Sequence, residues 1–405
     1  MKPVRSVSFS TLVKSLEGFL PREEQLSYFL KESPPGDSGR TQKSRLIQQV
    51  SMASAAHGPG RGEIFCPFDS KNAIPETFIE QLRHMTQSGK ILPKSQKGRL
   101  RIVFMNSIFH FPERESCWRL MEMLAPHGID CCICDEKSKN LVRQINPDLL
   151  FFFWQPDRNL LPDVPSAVMV THPVRSAWAR QSDVAFYVTD DEAAIRKLTA
   201  QLKEKTRVVP TTLSTKKTEF YGGPKRRLFY ASLNWDQRRG VGYVPLYRLL
   251  DETGYFDAYG PESCWEGKVK NSYRGLLANG CDELLKTAQK AGIVLVLHAP
   301  LHFNSGTPTA RIFEAAAASA VIISDKHPFV QKHFGDSVLY VDQNADPTEM
   351  FRQIDGHMRW ILANPKKAVE LARRSHSIAT EKFPLEREAE KIEACIRKVV
   401  AERAS

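Results

Sequence analysis

The 405-residue sequence contains no apolar run near the ~18 residues that a membrane-spanning helix needs. Its longest such runs, Leu149 to Trp154 and Ile293 to Leu297, are strand-sized. The N-terminus carries Lys2 and Arg5, but Lys14 and Glu17 interrupt any signal-peptide core. Neither GxGxxG nor GxxxxGK[ST] is present, which disfavours a nicotinamide dehydrogenase and a P-loop nucleotidase. No RNP strand, KH loop or zinc finger occurs, so no specific nucleic-acid partner is expected. The eight cysteines form no His/Cys cluster at zinc-finger spacing. Cys131, Cys132 and Cys134 fall in an apolar stretch that predicts a buried strand, where free cysteine acts as a small hydrophobe. These absences leave a cytoplasmic globular protein with no disulfide framework.

What is present is a positive charge of +11, unevenly spread. Residues 1–101 hold 16 Lys/Arg against 9 Asp/Glu, residues 201–240 hold 10 against 3, and the remainder nets −3. Two local regions therefore carry the excess, which points to anionic partners at particular places. Nucleic acid, an anionic membrane surface (giving peripheral contact at the inner face of the membrane) and a phosphorylated small molecule are all admissible partners, and for residues 1–101 plain solvation is the alternative.

Residues 1–98 read as a partly irregular N-terminal extension. Ser33–Arg40 and Ala55–Gly62 are loops by composition, and Pro75–Met85 predicts a helix. From Arg101 strands alternate with helices, which argues an α/β unit with a parallel sheet over 99–215. A second such unit follows over 225–385, and a C-terminal helix over 386–405. Between the units lies a polar, basic stretch, Ser214–Lys225. The expected fold class is two tandem Rossmann-like domains.

In an open parallel sheet, ligands bind beyond the carboxyl ends of the strands. After the predicted strand Ile293–Leu297 comes one loop, Ala299–Thr309, that opens a helix. Ser305, Gly306, Thr307 and Thr309 there offer hydroxyls and free N–H groups at a helix N-terminus, the makings of an anion site. Thr307 before Pro308 also reads as an ordinary N-cap. One turn on, Arg311 and Glu314 stand on an Ala-rich helix, where they can pair at i, i+3. After the strand Arg227–Ala231 the loop carries Asp236, Arg238 and Arg239, the two cations suited to a phosphate. Asp236 is either an ion-pair partner or a nucleophile or base. His172, His298 and His302 follow or end strands. Asp190–Asp191 read as helix N-terminal residues, not as a metal-binding pair.

The segment SGTPTARIFEAAAASAVIISDKHPFVQKHF, followed by VLYVD and a helical tail, resembles the C-terminal half of GT-B glycosyltransferases. The likeness spans about 230–395 and is nearest to the group-one-like, spore-maturation branch. It implies that Glu314 accepts hydrogen bonds from the donor ribose and that Ser305–Thr309 cradle its phosphate. It implies that Arg238 or Arg239 neutralises the phosphate, that Arg311 and His298 lie beside the donor, and that His172 is catalytic with Asp236. Gly306 stands where many retaining members carry a first Glu, and Ser319–Ala320–Val321 replaces the usual Gly-Thr-Pro. A fainter similarity, to retaining β-Kdo transferases with an Asp nucleophile, would suit Asp236 and a CMP-Kdo donor. The resemblance thus implies transfer from a nucleotide sugar to a glycan or lipid-linked acceptor in surface polysaccharide or lipopolysaccharide synthesis. No cofactor and no required metal are implied. Two other readings stay open: a nucleotide-sugar epimerase on the same fold, and a non-catalytic adaptor that binds polyanions or membranes.

Overall fold

The computed structural model describes residues 64–65, part of 78–88, 89–106, 111–134, 138–153, 155–157, 159–171, 176–202, 206–234, 236–277 and 282–404. Most of the basic N-terminal segment, and with it the expected membrane contact, lies outside them. Among the described residues, no helix is long and apolar enough to cross a membrane. They fall into two units. One runs to Thr212 and resumes at Leu385; the other spans Leu213–Pro384.

The first unit contains β1 (Ile64–Phe65), β2 (Leu100–Met105), α1 (Phe111–Leu124), β3 (Ile129–Cys134), α2 (Lys139–Ile145) and β4 (Leu149–Phe152). It continues with β5 (Ser166–Val170), α3 (Ser176–Ala179), β6 (Val184–Val188), α4 (Glu192–Gln201) and β7 (Arg207–Thr211). The sheet order is β1-β3-β2-β4-β5-β6-β7, with β1 antiparallel to β3 and the other pairings parallel. Strands covered on both faces are mostly apolar along their length; LLFF is wholly so, and in LRIVFM only Arg101 departs, donating from Nη1 to the Ile145 carbonyl at 2.8 Å. Phe104 stacks on Phe151 at 5.2 Å, and Phe151 lies 5.3 Å from both Phe153 and Phe186. Cys131, Cys132 and Cys134 are buried in β3 as expected, and burial holds the Cys131 thiol well above its ordinary pKa. Asp191 caps α4, accepting from the Ala193 and Ala194 N–H groups at 2.9 and 3.4 Å. Phe78, Leu82, Met85 and Leu92 are buried too, so the chain ahead of β2 supplies core as well as loop.

The second unit contains β8 (Arg227–Ala231), a π-helical turn (Arg238–Gly242), α5 (Val244–Asp251), β9 (Phe256–Tyr259), α6 (Glu262–Trp265), α7 (Glu283–Ala291) and β10 (Gly292–Val296). Then come α8 (Pro300–Ser305), α9 (Ala310–Ala317), β11 (Val321–Asp325), α10 (Pro328–Phe334), β12 (Leu339–Val341), α11 (Pro347–Ala363) and α12 (Pro365–Ser377). The sheet is wholly parallel, in the order β12-β11-β10-β8-β9. Alternate residues serve opposite faces. Leu228, Tyr230, Ile293, Leu295 and Ile323 join the core beneath α5, α11 and α12. Phe229, Val294, Val296 and Ile322 join that beneath α7 and α9. The last helix, α13 (Leu385–Ala404), belongs to the first unit. There Glu388 accepts from the Thr211 hydroxyl at 2.7 Å, and Arg397 donates to the His127 carbonyl at 2.7 Å.

Two expectations about the loop after β10 need correction. Residues 299–309 are not one loop, because Pro300–Ser305 form α8. Pro300 at its start and Gly306 just past its end are ordinary helix punctuation, which the hydroxyl-rich composition obscured. Helix α9 begins at Ala310 with Thr309, not Thr307, at the N-cap, and without a side-chain capping bond.

Gly292 joins α7 to β10 at φ +83°, and a Cβ there would lie 2.4 Å from the Pro224 carbonyl oxygen and 2.9 Å from the Lys225 Cα. Both the conformation and the contact demand glycine. Gly292→Ala should lower stability by about 1–3 kcal/mol, the range for a residue forced into a sparsely populated backbone region, read as a lower denaturant midpoint.

Candidate active site

Counted from β8, the strand order of the second sheet is 2-1-3-4-5, so its topological switch point lies between β8 and β10. Crossovers leave in opposite directions there and open a crevice at the carboxyl ends. The segment after β8 is tightly shaped. Asn234 adopts φ +46°, and its Oδ1 lies 3.0 Å from the buried Tyr247 hydroxyl, which is also 2.9 Å from the Arg239 carbonyl. A Cβ on Gly240 would meet the Asn234 carbonyl at 2.7 Å, so the π-turn closes only around glycine.

That turn gives its two arginines different surroundings. Arg239 donates from Nε to Asp236 Oδ2 (2.5 Å), from its backbone N–H to Asp236 Oδ1 (2.9 Å) and from Nη1 to the Leu297 carbonyl (3.2 Å). Both oxygens of Asp236 are thus engaged by one residue. Arg238 lies against the rings of Tyr243 and Phe303, at 5.3 and 5.6 Å from their centroids, contacts that favour a cation. Its Nε donates to the Tyr243 hydroxyl at 2.5 Å. Its Nη2 stands 3.7 Å from Asp325 Oδ2 and has no hydrogen-bond partner among the described residues.

Asp325, at the end of β11, and His298, just beyond β10, are fully buried. The His298 backbone N–H donates to Asp325 Oδ2 at 2.8 Å, and its Nδ1 lies 2.6 Å from Oδ1. The His298 ring stacks on His327 at 4.2 Å and 20°. His327 donates from Nε2 to the His302 carbonyl (3.1 Å) and accepts at Nδ1 from the Phe329 N–H (3.2 Å), which fixes it as a neutral imidazole. Burial, then Arg239 and Arg238, push His298 down to about 3. Burial, then His298, push His327 down to about 3. Burial raises Asp325 to about 7 against the pull of the His298 N–H and Arg238.

The remaining expected residues divide. The Ser305 hydroxyl turns back to the Leu301 carbonyl at 2.9 Å within α8. Gly306 ends that helix at φ +64°. Thr307 is buried, and its hydroxyl has no partner among the described residues; its carbonyl accepts from His302 Nδ1 at 3.1 Å. Thr309 sits at the N-cap of α9, where Arg311 Nη1 lies 2.8 Å from Glu314 Oε2. The structure therefore brings Arg238, Arg239, Asp236 and His298 together and sets Arg311 beside Glu314. His172 lies outside the described residues. Asp325, His327, Tyr243 and Phe303 were missed; for Asp325, a carboxylate closing the buried strand VIISD was the available signal. Among the described residues, no group of three or more His, Cys, Asp or Glu is placed to hold a metal ion.

Because Asp325 binds its proton more readily folded than unfolded, its contribution to stability is complete below the ordinary carboxylate value of 3.8 and is lost as pH rises through about 7. The denaturation midpoint of the wild type, relative to that of Asp325→Asn, should therefore fall between about pH 4 and about pH 7. A pH-independent difference would mean that Asp325 keeps an ordinary pKa.

Residues 244–394 match the family model described as glycosyl transferase-like. No curated protein is matched by the sequence. Among solved structures, the chain is similar to sucrose-phosphate synthase from Thermosynechococcus elongatus, at 14% identity and TM-score 0.51, over 75% of this chain and 100% of that one. It is similar to Anabaena Alr3699/HepE, solved in complex with UDP-glucose, at 12% identity and TM-score 0.51, over the same shares. It also aligns with the pneumococcal O-GlcNAc transferase GtfA at 13% identity and TM-score 0.45, covering 62% of this chain but spanning only 57% of that protein. The chain thus has the GT-B fold, and its residues 244–394 are similar to glycosyl transferase-like domains.

Proposed function

We propose that this chain is a glycosyltransferase that takes its sugar from a nucleotide-activated donor held by the second unit. The observation that carries the reading is Arg238: a guanidinium braced by two aromatic rings, with Nη2 making no hydrogen bond among the described residues, at the switch point of the second sheet and just ahead of the glycosyl transferase-like match. A cation held in place costs no reorganisation when charge develops on the leaving phosphate. Glu314 takes the ribose hydroxyls and Arg311 steadies it. Arg239, committed to Asp236 and Leu297, shapes the turn that presents Arg238. The complex of HepE with UDP-glucose supports a nucleotide-sugar donor. The acceptor is a glycan or a lipid-linked chain.

The finer possibility, Kdo transfer from CMP-Kdo in surface polysaccharide synthesis, needs Asp236 free to attack the anomeric carbon. With both oxygens accepting from Arg239, Asp236 serves better as the anchor of that arginine. Asp236→Asn should then keep most turnover; a fall of orders of magnitude with donor binding intact would restore it as nucleophile.

Thermal shifts with UDP-, GDP- and CMP-sugars test the donor class, since a ligand of the native state raises its stability. Glu314→Ala should weaken donor binding by about 1.5–3 kcal/mol, as for a hydrogen bond to a charged group, and leave the helix folded. Arg238→Gln should lower turnover by about 10²–10³-fold, the scale for losing one preorganised donor, whereas Arg239→Gln should mainly cost stability. Turnover of the donor sugar without any acceptor would instead favour the epimerase.

A further inference from the structure

Asp325, at the end of β11, and His298, just beyond β10, are 27 positions apart, and the Asp325 carboxylate meets both His298 and Arg238. Above about pH 7 Asp325 is ionised and can only accept, so Nδ1 of His298 must then carry the ring proton and Nε2 is left as a bare lone pair. That Nε2 is buried and has no partner among the described residues. His327 stacks flat on the ring and is itself neutral and fully bonded. A buried acceptor without a partner is costly. It sits in the same cluster as Arg238, the open donor. A cation and a neutral acceptor side by side suit a ligand that presents an anionic oxygen next to a hydroxyl.

Resting on the nucleotide-sugar reading, we infer that Asp325 is a positioning residue that fixes His298 as a hydrogen-bond acceptor for a hydroxyl of the transferred sugar. The assignment to the sugar follows because Glu314 already serves the ribose and Arg238 the phosphate. His298 selects a donor by what its sugar can donate, a discrimination that hydrogen-bonding sites make sharply.

Asp325→Asn supplies the test. Its amide N–H would donate to Nδ1 and move the ring proton to Nε2, replacing an acceptor by a donor. Nitrogen-15 spectra of His298, recorded near pH 8, should show Nδ1 protonated in the wild type and Nε2 protonated in the variant. Affinity for UDP-glucose should fall about tenfold relative to affinity for UDP, the equivalent of one hydrogen bond. Should the variant not fold, the wild type decides: the Nε2 resonance must shift on adding UDP-glucose and stay in place on adding UDP. A tautomer swap that leaves the UDP-glucose to UDP ratio unchanged, or an Nε2 resonance indifferent to UDP-glucose, overturns the inference while the nucleotide-sugar reading stands. Should the wild type bind neither UDP nor UDP-glucose, the same comparison is made with the nucleotide sugar and free nucleotide that the thermal shifts identify; binding of none of the UDP-, GDP- or CMP-sugars overturns both.

Discussion

The constraint from which the rest follows is burial of a parallel sheet on both faces. Strands such as GIVLV in β10 have no solvent-facing side, so a polar group within them would lose its water without a partner. Polarity is therefore pushed to the strand ends. In the second unit the ends of β8, β10 and β11 receive the two arginines, His298 and Asp325. Because those groups are still surrounded by protein, each must find its partner among the others. The cluster owes its hydrogen bonds and its displaced proton affinities to the same exclusion of water that stabilises the sheet.

Within that cluster, charge is managed by division of labour. Arg239 meets Asp236 in a closed pair and spends its remaining capacity on a backbone carbonyl. Arg238 meets only aromatic faces, one hydroxyl and the edge of Asp325. Two adjacent residues of the same type thus differ because one is satisfied and the other is not. A pair of cations with equal freedom would repel each other; anchoring one lets the other stay open at lower cost.

The sheet architecture was largely legible in the sequence. β3, β6, β8 and β9 begin and end where the sequence places them, because buried strands write themselves as mostly hydrophobic stretches, broken in these four only by Asp130, Arg227 and Asp257. The helices that alternate with them were equally plain. Glycine and hydroxyl residues in 299–309 hid α8, since a six-residue helix carries too little periodicity to outweigh loop-like composition. The π-turn at Arg238–Gly242 was hidden for the same reason. Arg238 and His298 could be picked out by their places after strands. The partnership of His298 with Asp325 could not, because residue patterns show where strands end but not which ends meet.

The membership of α13 has a consequence for synthesis. The second unit is continuous from Leu213 to Pro384, whereas the first is interrupted by it and regains the chain only at Leu385. Domains fold as units while the chain is made from its N-terminus. The second unit can therefore close as soon as it emerges. The first must wait, with its sheet made and one covering helix missing, until Leu385–Ala404 is translated, so the half that is begun first is completed after the other.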